Sequence, residues 1–194
     1  MRQRPRVEGD RQDEILRATV EVLTELGYDR LTMDAVASAA KASKATLYRR
    51  WSGKAELVVD AVARGCPVPA VVDTGSLRGD LVELSCGDGG LTDDVPMSVV
   101  AGLLTALHRD SALQRAFQER FLAPRLGLVD TIYRRAAERG EISADADIEL
   151  FAQALPAIVV HRSFVLGIPA DPEFVERVID HVILPAARAC GGNA

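Results

Sequence analysis

Thr32-Met33-Asp34-Ala35-Val36-Ala37-Ser38-Ala39-Ala40-Lys41-Ala42-Ser43-Lys44-Ala45-Thr46-Leu47-Tyr48-Arg49-Arg50 reads as two short helices and the turn that joins them. Thr32 is of the residue type that caps a helix start, here for a helix from Met33 to about Ala40, and Asp34 falls near its positive end. Ser43 is a second cap, opening a helix that runs to about Arg50. Ala35, Val36, Ala39, Ala42 and Leu47 are apolar at spacings that let the two helices pack at a steep angle. The small Ala37, Ala39, Ala40 and Ala42 permit a close crossing. A helical hairpin inside a bundle has similar spacing, but a helix-turn-helix fits better. Its second helix would be short enough to enter a major groove about 12 Å wide.

The chemistry of that second helix points to the same kind of partner. Ser43, Lys44, Ala45 and Thr46 sit at its N-terminal end, where backbone N–H groups and the helix dipole favour phosphate. Tyr48 offers a hydroxyl on a rigid arm, and Lys54 stands at the start of the next helix. Charge is divided by position. Residues 1–55 carry 11 Lys/Arg against 8 Asp/Glu, whereas the remaining residues carry 12 against 20 within a net charge of −5. A short basic module on an acidic body suits a polyanion partner for the module alone. A solvated charge pattern is the plainer reading of the same numbers.

Outward from this centre the chain reads as helix almost throughout. Asp10 to Leu26 places Ile15, Ala18, Val22, Leu23 and Leu26 on one stripe, with Gly27 as the stop. Lys54 to Arg64 is a further helix. Cys66 to Gly75 holds two prolines and a glycine and reads as a connector. Helices are then expected over about 76–86, 96–108, 111–139, 147–167 and 172–189, with Pro124 and Pro156 kinking the third and fourth. No strand alternation is present. The expected architecture is all-α, with about nine helices: a three-helix head over residues 1–65, a connector over 66–75 and a helical bundle over 76–194.

The run from Leu31 to Lys54 resembles the N-terminal signature of TetR-family regulators. The points of likeness are the Thr32 cap, the Ser43-Lys44-Ala45-Thr46-Leu47-Tyr48 run, Trp51 closing the module, and Lys54 followed by Glu56-Leu57. The resemblance implies that Lys44, Ala45, Thr46 and Arg49 face base edges or the nearest phosphates. It implies that Thr32, Tyr48 and Lys54 clamp the backbone, and that Leu47 and Trp51 are core. One departure stands out: the family usually has Gly-Val in the turn, and here it is Lys41-Ala42. If that turn needs positive φ, Lys41 costs about 1 kcal/mol, against which a phosphate contact from its own side chain would count. Arg2, Arg4 and Arg6 form either an arm toward the minor groove or a simple tail.

A regulator of this plan needs a second input. Met97, Leu104, His108, Phe117, Phe121, Tyr133, Gln153 and His161 are the expected lining of an apolar pocket with a few polar anchors, for a small-molecule effector that the sequence does not name. Plain core is the competing reading of the apolar positions. The last two long helices read as a homodimer surface through Leu150, Ala154, Ala157, Ile158, Val165, Phe174, Val175, Val178, Ile179, Val182 and Ile183. The expected partners are therefore double-stranded operator DNA, a second copy and the effector.

Other classes are disfavoured. No paired-carboxylate, Ser/His/Asp or phosphate-loop spacing is present, and His108, His161 and His181 form no ligand grouping, so neither an enzyme nor a cofactor or metal site is expected. A protein–protein adaptor that keeps the head without binding DNA is the alternative. The scattered Cys66, Cys86 and Cys190, and the lack of any uninterrupted apolar run of membrane-spanning length, fit a cytoplasmic protein without a membrane segment.

Overall fold

The structure is a computed structural model that describes residues 8–68, 72–87 and 97–189. Arg2, Arg4 and Arg6, Cys190, part of the connector and most of the break around Gly89, together with the side chain of Met97, lie outside the described residues. In chain order the helices are α1 (Glu8–Arg30), α2 (Met33–Ala39), α3 (Lys44–Tyr48), α4 (Lys54–Gly65), α5 (Leu77–Cys86), α6 (Met97–Leu107) and α7 (Ser111–Ala116). They continue with α8 (Ala123–Glu138), α9 (Ile148–Val160), α10 (Pro172–Val178) and α11 (Leu184–Ala189). Three wider π-helical turns, Phe117–Leu122, His161–Val165 and Ile179–Ile183, extend or join these, leaving nine helical rods and no strand among the described residues. The chain is all-α, as its sequence predicts.

It divides into two compact units, residues 1–65 with 95–121 and residues 66–94 with 122–194. In the first, Ile15, Leu16, Val22 and Leu23 of α1 pack with Val36, Leu47, Leu57, Val58, Leu103 and Leu113 in one core. Residues of α6 and α7 thus belong to the head's own core, a grouping that linear reading of the chain did not anticipate. Gly27 (φ 72) interrupts helical geometry in α1, and one more turn follows, closed by the Leu31 N–H on the Gly27 carbonyl at 3.1 Å. The predicted stop is thus a break inside a longer helix.

In the second unit Leu77, Leu81, Ile132, Tyr133, Phe151, Leu155, Val159, Val175 and Ile179 form the core. Asp80 is wholly buried there. It accepts from the Thr74 N–H (2.6 Å), the Thr74 hydroxyl (2.8 Å) and Arg139 (3.3 Å), which replace the water a carboxylate needs. Arg78 on α5 is gripped by Asp180 and Glu176, and both hold its guanidinium proton more tightly than usual.

Pro124 and Pro185 each follow two residues after a π-helical turn ends. A proline inside a helix removes a donor and presses its ring on the carbonyl four residues back. A wider turn displaces that carbonyl, so at Pro124 the predicted kink is expressed as a π-turn. Pro156 lies within α9 itself. Ile148–Val165 is long and apolar enough by composition to cross a membrane, and only 17% of it is buried within the chain. It is not an uninterrupted apolar run, because Glu149, Gln153, His161 and Arg162 break it.

Candidate nucleic-acid interface

Both predicted caps are formed. The Thr32 hydroxyl oxygen accepts from the Ala35 N–H at 3.1 Å, and the Ser43 hydroxyl oxygen accepts from the Thr46 N–H at 3.1 Å. Each cap hydroxyl still has a proton to donate. That of Ser43 shares a 2.9 Å bond with the Thr46 hydroxyl, whereas Thr32 is exposed. Leu47 (0% exposed) and Trp51 (1%) fasten α3 to the core, and the Trp51 indole N–H donates to Asp60 at 2.8 Å. Both are structural, as predicted.

What remains of α3 and the turn points outward. Lys41, Ser43, Lys44, Ala45, Tyr48 and Arg49 are all exposed, Tyr48 by 54%, and Thr46 is half-buried. A tyrosine with so much apolar ring in water is unusual for a packed side chain. Lys44 meets Asp34 of α2 at 2.7 Å, and that carboxylate raises the lysine pKa above its ordinary value. The pair ties α2 to α3 on their solvent-exposed side.

Lys54 is placed differently from the other cations. Its Nζ donates to the carbonyl of Tyr28 at 3.0 Å, with a longer contact of 3.5 Å to that of Asp29, and stands 4.3 Å from the centre of the Tyr28 ring. It neutralises carbonyls left unpaired at the end of α1, the task a cation performs at a helix C-terminus. The Tyr28 hydroxyl in turn donates to Asp110, the cap of α7. Burial and that carboxylate push the Tyr28 pKa above its ordinary value. Arg11 of α1 reaches the turn itself, its Nη2 donating to the Lys41 carbonyl at 2.7 Å. Neither Arg11 nor Tyr28 was identifiable from local pattern. Their partners lie 30 and 82 residues away, and no short window of sequence contains both ends of such a bond.

The expected effector residues are distributed. In the first unit Leu104 and His108 are exposed and Phe117 stacks on Phe121 with centroids 4.8 Å apart. In the second, Tyr133 is buried against Phe151 at 6.0 Å, while Gln153 and His161 are exposed. Two clefts of the first unit, of about 350 and 430 Å³, are lined by other residues. The smaller holds Tyr28, Lys54, Asp110 and Arg120, and the larger holds Arg11, Glu14, Arg17 and Lys41.

A capped, outward-facing short helix with cations at its start, carried on a two-unit all-α chain, defines a helix-turn-helix DNA-binding regulator. The comparisons agree. Residues 15–61 match the family model described as bacterial regulatory proteins, tetR family, and residues 71–182 match the tetracyclin repressor-like C-terminal domain. An uncharacterised HTH-type transcriptional regulator of Mycobacterium tuberculosis is 41% identical over 180 residues, covering 91% of this chain and 87% of that protein. A DNA-binding transcriptional repressor TetR of Mycobacteroides abscessus is 37% identical over 176 residues, 90% of this chain and 92% of that one. The crystal structure of a TetR family transcription regulator superposes with a TM-score of 0.68 at 28% identity, covering 91% of this chain and 98% of the other. The chain belongs to the TetR family of transcriptional regulators, DNA-binding factors and not enzymes.

Proposed function

We propose that this chain is a repressor that binds a near-palindromic operator as a homodimer and is released by a small apolar molecule. The outward face of α3 is the observation that carries the DNA reading. Lys44, Ala45, Thr46 and Arg49 are offered to base edges or the nearest phosphates, and Thr32, Lys41, Ser43 and Tyr48 to the DNA backbone beside them. Lys54 contributes to the backbone clamp by holding the end of α1 against the start of α4. The repressor named among the relatives supports repression as the direction of control, and the cytoplasm is where operator DNA is met.

Dimerisation through the last two long helices is supported by apolar side chains that stay exposed among the described residues. Leu150 (59% exposed), Val165 (69%) and Val182 (46%) project from α9 and the π-helical turns after it and after α10. Ala157 is exposed on the same rod as Leu150. Val175, Val178, Ile179 and Ile183, also expected at this surface, are buried in the core of the unit. They were misassigned because one apolar stripe on an isolated helix looks the same whether it meets its own core or a second copy. A dimer would present two α3 helices to grooves roughly 34–36 Å apart. An effector that prefers another conformation then releases DNA by linkage.

Selection of bound duplexes from a random pool tests the reading. An inverted repeat should emerge, with affinity that falls steeply as salt rises. Arg49→Ala should relax the selected sequence, while Tyr48→Phe should weaken binding to all sequences alike. Recovery of no duplex would leave the adaptor alternative in its place.

A further inference from the structure

Two helix ends in this chain close in the same way. After α8 the Glu141 N–H reaches the Ala136 carbonyl and the Gly140 N–H reaches that of Ala137, with Gly140 at φ 73. After α2 the Ala42 N–H reaches the Ala37 carbonyl at 2.8 Å and the Lys41 N–H reaches that of Ser38 at 3.1 Å, with Lys41 at φ 50. This pair of bonds requires a left-handed residue after the helix, and glycine adopts that shape freely. Lysine does not, because its Cβ crowds the carbonyl oxygen that follows it. Among the described residues Lys41 is the only non-glycine with positive φ.

The crowded oxygen is the one that Arg11 holds. Arg11 Nη2 donates to the Lys41 carbonyl at 2.7 Å, and Arg11 Nη1 donates to Glu14 Oε2 at 2.6 Å, one turn along α1. Both side chains are only 27% exposed, so the guanidinium is fixed from one side before it meets the turn. No other bond to the Lys41 carbonyl is seen among the described residues, and the turn leads directly into the Ser43 cap of α3.

We propose that Arg11 is a positioning residue for the recognition helix, holding the turn in its left-handed shape through the Lys41 carbonyl while Glu14 holds Arg11. The inference rests on the DNA-binding reading. Without the bond, Lys41 relaxes toward ordinary φ and the direction of α3 changes with it. The apparent affinity for DNA then falls by the fraction of heads that keep the competent turn. The cost of one left-handed non-glycine residue corresponds to roughly a tenfold change in that population.

The test is a double-mutant cycle on the full chain, read by anisotropy of a labelled duplex that the parent selects. Arg11→Ala alone should weaken binding roughly tenfold while leaving the salt slope unchanged, since no phosphate contact is lost. In a Lys41→Gly background, which needs no help to hold the turn, Arg11→Ala should change affinity by less than about twofold. Urea unfolding of each variant shows that the heads compared are folded. Arg11 and Lys41 effects that simply add, or a salt slope that drops by about one phosphate with Arg11→Ala, overturn the inference and leave the DNA reading intact. A parent that selects no duplex overturns both.

Discussion

The Tyr28 hydroxyl donates to the Asp110 carboxylate across 2.7 Å, joining the end of α1 to the first turn of α7 over 82 residues of chain. Asp110 also accepts from the Ala112 and Leu113 N–H groups, so one carboxylate caps a helix and anchors a tyrosine. Tyr28→Phe keeps the ring under Lys54 and should cost about 1–2 kcal/mol of stability. Asp110→Ala removes cap and anchor together and should cost about 2–3 kcal/mol. Urea unfolding of both variants and their double, expected to be less than additive, measures the pair.

Acid should unfold the protein through this same carboxylate and three others. The Leu113 N–H and the Tyr28 hydroxyl hold Asp110 below its ordinary pKa. Arg64 does the same for Asp13, the Ser52 N–H for Glu56, and Arg78 for Asp180. Each group is depressed in the fold, so its contribution is fully present above the unfolded value, near pH 4, and is lost as pH falls through the folded one. The urea midpoint should therefore drop below about pH 4, and Asp110→Asn should flatten that drop.

Asp34 should restrain DNA binding. It sits 2.7 Å from Lys44, with both side chains about 60% exposed, so a phosphate must displace it to reach the lysine. Asp34→Asn should tighten binding to unrelated duplexes by a few-fold and steepen the salt slope by about one phosphate. Stability should change by less than about 1 kcal/mol, because the pair is open to solvent. Anisotropy titrations at several salt concentrations measure the first, and urea unfolding the second.

Leu150→Glu combined with Val165→Glu should leave a folded chain that sediments as a protomer. Both positions are more than half exposed, so charge there costs the protomer little while desolvation would oppose a dimer face. Sedimentation velocity gives the oligomeric state, and circular dichroism shows whether the fold persists.

The helices of the head and both of its caps were legible because the signals are local: Thr32 and Ser43 each stand directly before the helix they cap. The core role of Leu47 and Trp51 was legible through the family resemblance, and both are buried. The supports of the site were not. Arg11, Tyr28 and Asp110 act on atoms far along the chain, and one of those atoms is a backbone carbonyl, which carries no side-chain signature. Type and place make Lys54 an expected contact to the DNA backbone, and only coordinates reveal that its ammonium also meets the carbonyls of Tyr28 and Asp29 at the end of α1. The expected effector residues form a pattern of apolar positions with a few polar anchors, and ordinary core such as Tyr133 shows the same pattern.

The π-helical turn Ile179–Ile183 shifts the phase of the last rod by one residue. Val175 and Ile179 set a buried stripe whose ordinary α continuation would include Val182, yet Ile183, Leu184 and Ala187 are the positions that turn inward, and Val182 faces out. The turn therefore behaves as a one-residue insertion that Pro185 has made permanent, since its ring would clash in a tighter coil. Shortening the chain by one residue there, together with Pro185→Ala, would restore an even winding with the same inward face. Length in this stretch is thus negotiable by a single residue, whereas phase is not.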